Sequence, residues 1–349
     1  MLSRPDSRLM CCSRCTTAWY CSKDCQKAHY KDKHKDVCLA VAGYQQSVER
    51  EAIPIRQTRI YMDDKQYIVE NLFETRVGLF GQLDATANYM DARIGLIEMY
   101  LKAAFRVEIK NVWEKVLFHA LEMQKLDANL PCFSFLEPTL FVLLILHRDD
   151  DACDYIHYWM KEKVNKEGDT NKHMLRCSQS KEGDWMYPHE KDCRYHDFIQ
   201  KYPKLSDEND VPLAFLLAAL IVKLRLVATY DATRRSIDSG SHTTTGGKSI
   251  QEVQMEVREK LIDEKLMNIE SQREQVDQII TLIQRINPTL LPATLNPDLL
   301  FAIVKGTRAR GEPTEAKSLI LYSIRCLARI PGAREKLEQR FGRNPSYPV

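Results

Sequence analysis

Paired thiols near the start of the chain constrain its fold more than any other feature. Cys12-Ser-Arg-Cys15 is followed by Cys21-Ser-Lys-Asp-Cys25 and then by His34-Lys-Asp-Val-Cys38. Six of the eleven cysteines therefore fall within the first 38 residues. The full spacing, C-x2-C-x5-C-x3-C-x8-H-x3-C, offers five thiolates and one imidazole, the donors that a tetrahedral Zn²⁺ site uses. A segment this short cannot bury enough apolar surface to fold by itself, so the metal must supply much of its folding energy. The candidate ligands are Cys12, Cys15, Cys21, Cys25, His34 and Cys38.

The run Trp19-Tyr20-Cys21-Ser22-Lys23-Asp24-Cys25-Gln26-Lys27-Ala28-His29-Tyr30, with His34-Lys35-Asp36-Val37-Cys38 after it, resembles the second half of a MYND-type zinc finger. The resemblance implies two interleaved sites, in which Cys12 and Cys15 pair with His34 and Cys38. It also implies one more C-x2-C pair ahead of Cys12 to complete the set of Cys21 and Cys25, and none stands between Met1 and Cys11. A missing front piece is therefore expected. Cys11 or His29 could fill the half-empty site. Alternatively, Cys12, Cys15, Cys21 and Cys25 could gather on one ion and leave His34 and Cys38 over, although the five-residue gap from Cys15 to Cys21 makes that tight.

Charge does not choose a partner: 50 basic and 48 acidic residues give a net charge of +2, with no electrostatic footprint for nucleic acid. No apolar run follows Met1, and the cysteines at 132, 153, 177, 193 and 326 look unpaired. Both features suit a reducing compartment and an intracellular protein of cytoplasm or nucleus. The longest apolar run, Val211 to Val222, meets Lys223 and Arg225 before reaching the ~20 residues a membrane span needs, so it reads as a buried helix.

Beyond the finger the pattern is mainly α. Leu39 to Glu51 reads as a short helix stopped near Pro54, and Tyr67 to about Lys163 as successive amphipathic helices. Ile94, Ile97, Leu101, Ala104 and Phe105 share one face, as do Val112, Val116, Ala120 and Met123. Leu140 to Leu146 is apolar on all sides and belongs at the centre. Short polar turns suggest an array of antiparallel helix hairpins, loosely like tetratricopeptide repeats, without a clean repeat length. The stretch His147 to Trp159 is similar to the region behind the finger in MYND-bearing proteins of microbial eukaryotes, which implies a helical fold and no activity. Lys161 to Asp210 reads as a polar excursion, and Pro212 to Tyr230 as a closing helix. The expected organisation is a finger at 1–45, a helical domain at 46–235, a flexible linker at 236–248 rich in Ser, Thr and Gly, and a C-terminal helical region at 249–349. In that last region Ile250 to Ile286 reads as one long helix, Pro313 to Arg329 as another, and Phe341 to Val349 as a frayed tail.

Two further motifs tempt a chemical reading. Gly246-Gly-Lys-Ser249 lacks the first glycine of a phosphate loop, since position 242 is His242, and no strand precedes it. His173-x3-Cys177 and His189-x3-Cys193, with His196 close behind, offer donors for a second metal without a C-x2-C anchor. The expected function is a zinc-stabilised binding module, non-enzymatic, that docks a protein or peptide partner on a helical support. MYND fingers act in protein contacts, several by receiving proline-containing peptides. The alternatives are a SET-type lysine methyltransferase, disfavoured because no Asn-His dipeptide or late cysteine cluster is present, and a nucleic-acid-associated regulator using the lysines around the finger. No membrane partner is expected.

Overall fold

The computed structural model describes residues 9–61, 67–128, 133–164, 170–201, 211–242, 268–302 and 309–348. They form two compact units, Met1–Val142 with Glu167–Met186, and Leu143–Lys166 with Tyr187–Val349.

The first unit starts with a two-stranded ribbon, β1 (Met10–Cys11) against β2 (Trp19–Tyr20), antiparallel with Met10 opposite Tyr20. Helix α1 (Lys23–His29) follows, capped by the Ser22 side chain, which accepts from the Cys25 amide. A π-helical turn at Tyr30–His34 then runs directly into α2 (Lys35–Arg56). This helix starts four residues before the Leu39 expected from the sequence, and it absorbs Pro54 in its last turn. The earlier start sets Cys38 within the first turn of α2, in line with the end of the finger.

A hairpin, β3 (Thr58–Tyr61) with β4 (Tyr67–Glu70), comes next, where the sequence was read as helical from Tyr67 onward. The β-branched and aromatic residues of Tyr67-Ile-Val-Glu70 favour a pleated strand over a helix. After α3 (Leu72–Thr75) come two long helices, α4 (Ala87–Val107) and α5 (Lys110–Leu126). Glu108, in the left-handed region at φ 50°, ends α4 and reverses the chain within two residues. The face read from the sequence on α5 is fully buried at Val112, Val116, Ala120 and Met123, and Ile97, Leu101 and Ala104 of α4 are buried with it. Helix α4 also packs extensively on α2. That pairing skips the intervening hairpin, and the tetratricopeptide-like arrangement expected from the sequence is not confirmed. Helix α6 (Phe133–Ile145) is buried at every position from Leu140 to Ile145, as an all-round apolar helix must be.

In the second unit α7 (Asp149–Val164) packs with the segment that follows Tyr187, and Tyr187 sits edge-on against Tyr155 and Tyr158 of α7. Helix α8 (Thr170–Gln179) belongs to the first unit; α9 (Phe198–Lys201) belongs to the second. The centre of the second unit is α10 (Leu213–His242). It is long and apolar enough by composition to cross a membrane, and 72% of that apolar window is buried inside the protein. Its last turns take in residues 236–242 of the expected linker; residues 243–250, including Gly246 to Ser249, lie outside the described residues.

Helix α11 (Ile269–Ile286) lies along α10, followed by α12 (Leu290–Leu295), α13 (Asp298–Ala302), α14 (Pro313–Ala328) and α15 (Ala333–Phe341). Of the long helix expected from Ile250, the part before 268 lies outside the described residues. The expected frayed tail is instead tied down. Tyr347 is buried and its hydroxyl accepts from the Leu300 amide at 3.3 Å and donates to the Asn296 carbonyl, while Thr289 Oγ1 donates to the Pro348 carbonyl at 2.9 Å. Aromatic burial and these hydrogen bonds outweigh the entropy of a free end.

Two histidines of the first unit predict its response to acid. Burial, with Arg93 and Lys115 nearby, pushes His119 down to about 3; burial and Arg176 push His173 down to about 4. Both stay neutral when folded, whereas the unfolded chain takes up protons once pH falls below the ordinary 6.5. Stability therefore falls with pH from 6.5 toward 4, by up to about 1.4 kcal/mol per pH unit for each histidine. Glu122, raised by burial, works the other way and softens the slope. Urea midpoints measured at a series of pH values should show the decline, and His119→Gln should flatten it; equal slopes in the two proteins would refute the assignment.

Candidate metal centre

The turn between β1 and β2 presents two thiols to one point. The Cys12 amide donates to the Ala18 carbonyl at 2.8 Å, the Thr16 amide donates to the Cys12 carbonyl at 2.9 Å, and Thr16 sits in the left-handed region at φ 54°. These bonds close a tight knuckle with Cys12 and Cys15 facing inward, both buried. His34 ends the π-helical turn and Cys38 lies four residues on, so both project from one helical face toward the knuckle.

One donor atom from each of Cys12, Cys15, His34 and Cys38 lies within 4.8 Å of all the others, and all four residues are buried. The Cys12 and Cys38 sulfurs are 3.7 Å apart, and the Cys15 sulfur is 3.3 Å from His34 Nε2. A tetrahedron with Zn–S of about 2.3 Å and Zn–N of about 2.0 Å has edges of about 3.8 Å and 3.5 Å. The donors are thus spaced for one zinc ion. The chemistry of the set agrees: burial and the neighbouring thiols push Cys38 up, and burial pushes Cys15 up, so the thiols resist ionising together without a cation. A dication supplies the charge that three thiolates need.

The surroundings hold the centre in place. Thr17 Oγ1 lies 3.1 Å from the Cys15 sulfur, and Thr17 is buried. Lys115 of α5 donates to the Thr16 carbonyl at 2.9 Å and to the Thr16 hydroxyl, which ties the knuckle to the helices and brings a positive charge beside an anionic cluster. Neither Thr17 nor Lys115 carries a sequence signal for this role, because one is an ordinary loop residue and the other lies 99 residues from its partner.

The interleaved arrangement is therefore the one adopted by Cys12, Cys15, His34 and Cys38, and not the gathering of the first four thiols on one ion. Cys21 and Cys25 stand apart and exposed with their sulfurs 3.3 Å from each other. Neither residue considered for completing that pair joins it in a group of three among the described residues. His29 Nδ1 hydrogen-bonds the Tyr20 hydroxyl at 3.0 Å and its ring stacks on His34, and the Cys11 sulfur lies against the Cys12 carbonyl. The two H-x3-C pairs do not combine within a unit: His173 and Cys177 lie buried in the first, their donor atoms 3.7 Å apart, and His189 and Cys193 lie in the second.

Residues 3–38 match the family model described as the MYND finger. The N-terminal module is a MYND finger. Such a finger is a zinc-binding protein–protein interaction module and is itself non-catalytic. Cys12, Cys15, His34 and Cys38 are its buried metal-binding group in this chain. No curated protein and no solved structure matches the chain.

Proposed function

We propose that the MYND finger, residues 1–45, docks a proline-containing peptide segment of a protein partner inside the cell, and that the helices after it act as the scaffold. The supporting observation is a cleft of about 600 Å³ where the finger meets α2, α4 and α5 of its own unit. Ser13, Arg14 and Thr16 of the knuckle line one side, and Gln45, Tyr100 and His119 line the other. The Tyr100 and His119 rings are stacked at 5.4 Å, and Gln45 Nε2 donates to the Tyr100 hydroxyl at 2.7 Å. Tyr100 is buried and His119 half-buried, so their rings form the floor of the cleft below the exposed Ser13 and Arg14, and grooves for extended, proline-rich peptides are lined by aromatic rings. Because zinc shapes the knuckle wall, the cleft depends on the metal. Cys21 and Cys25 are proposed as ligands of a further zinc at the exposed side of the finger. The methyltransferase and nucleic-acid readings find no support in the fold or the family match.

The test is capture of proline-containing peptides from a displayed library by the full chain. Arg14 is exposed and holds no metal, so Arg14→Glu should weaken capture by about tenfold or more, equivalent to about 1.4 kcal/mol, with zinc content unchanged. Unchanged capture would remove the cleft from the account.

A further inference from the structure

We infer that His157, Glu190 and His196 form a separate, three-ligand site for a divalent transition-metal ion in the second unit. One donor atom from each lies within 4.8 Å of the other two. His157 Nδ1 is 2.9 Å from Glu190 Oε2, and His196 Nδ1 is 3.7 Å from Glu190 Oε1. The two imidazoles are nearly parallel, 8° apart with centroids at 6.2 Å, and they flank the one carboxylate. The two distances, one to each carboxylate oxygen, lie on either side of the edge of about 3.3 Å between a nitrogen and an oxygen donor of an ion at about 2.0 Å, so each imidazole is within ligand spacing of the carboxylate.

A hydrogen-bonded cluster needs no rigid frame, yet this one has a frame on both sides. His157 comes from the middle of α7, while Glu190 and His196 come from the segment packed on it. Asp154, one turn before His157 on α7, is spent on holding that segment: its Oδ1 accepts from the Glu190 amide at 2.9 Å and its Oδ2 accepts from His189 Nδ1 at 2.9 Å. At the other end the buried Lys223 ammonium donates to the Arg194 carbonyl at 2.9 Å and the His196 carbonyl at 2.7 Å, and to Gln272 Oε1 at 2.8 Å. A buried lysine costs desolvation, offset here by three oxygen acceptors that fix the backbone beside His196. The nearby set Asp151, Asp154 and His189 also brings three donors together, but both Asp154 oxygens are engaged and the His189 side chain is 70% exposed, so it braces the first site.

Burial grades across the site. The His157 side chain is 5% exposed, whereas Glu190 and His196 are each about one third exposed, so the site is closed behind and open in front. Two imidazoles and a carboxylate with an open face select zinc, ferrous iron or a similar ion and leave coordination positions for water or a ligand. Cys193 does not complete a thiolate set, since its thiol donates to the Asp150 carbonyl at 3.3 Å. The His189-x3-Cys193 spacing, with His196 close behind, marked this segment, and of those three donors His196 enters the site.

The full chain, stripped of metal and titrated with Co²⁺, tests this directly. Cobalt in the finger absorbs through sulfur-to-metal charge transfer; cobalt bound by nitrogen and oxygen adds weaker visible bands without it. The wild type should bind an equivalent of the second kind, and both His196→Ala and Glu190→Gln should weaken that equivalent by about tenfold or more while the charge-transfer absorption stays whole. His196 is partly exposed, so its variant is expected to keep wild-type far-UV circular dichroism. A wild type whose bound cobalt is all thiolate-ligated, or a folded His196→Ala that titrates like the wild type, would overturn the inference.

Discussion

Chelation of the zinc, or Cys15→Ser, is expected to abolish partner capture and unfold the knuckle while leaving the helices of the first unit standing. A structural zinc of this type contributes on the order of 10 kcal/mol to the fold that holds it. The finger has little to replace it: among the described residues its buried apolar side chains around the four ligands are few, Ala18 and Tyr20 at the ribbon and Val37 and Val41 on α2. Helices α4 and α5 bury a continuous face of their own and contribute none of the four ligands. Hydrogen exchange separates the two. The Cys12 and Thr16 amides, which close the knuckle, should lose protection on metal removal, and amides within α4 and α5 should keep theirs. Loss of protection throughout would mean that zinc holds the whole unit and that the finger is no separable docking surface.

The second large effect is expected at Arg93, far from any sequence motif. This side chain is almost fully buried on α4, with its guanidinium over the Tyr89 ring. Nη2 donates to Glu182 Oε1 at 3.0 Å and to His119 Nδ1 at 3.2 Å, Nη1 contacts the Tyr89 hydroxyl, and Nε is buried with no partner among the described residues. Buried Glu122, close by, relies on this charge together with Lys125 and the Gly183 amide. Arg93→Ala therefore removes packing and takes away one of the three groups that support the buried Glu122 carboxylate, and should cost about 3 kcal/mol in urea unfolding. Glu122→Gln introduced alongside should recover part of that loss, because the buried charge that Arg93 helped to compensate disappears. Strict additivity of the two substitutions would refute the network.

The centre and the helical body were legible to different depths. Cys and His at fixed short spacings announce a metal because few other structures gather thiols, and the ligand atoms converge as that spacing implies. The α5 stripe at Val112, Val116, Ala120 and Met123 was readable because a helix repeats its buried face along the local chain. What could not be read depends on residues far apart. Arg93 and Glu182 are 89 positions distant, Lys115 and Thr16 are 99, and a lone Glu190 gives no sign that two histidines will flank it. The hairpin β3–β4 was masked by its neighbourhood of helices, although Tyr67-Ile-Val carries strand propensity. The C-terminal end reads as a frayed tail, yet one tyrosine with two backbone partners fixes it.

The central claim is that Cys12, Cys15, His34 and Cys38 grip one zinc ion on which docking depends. Zinc per chain in the purified wild type and in Cys15→Ser, determined side by side by elemental analysis, tests it most directly. The account predicts one ion fewer in the variant. An equal zinc content in the two proteins would contradict it.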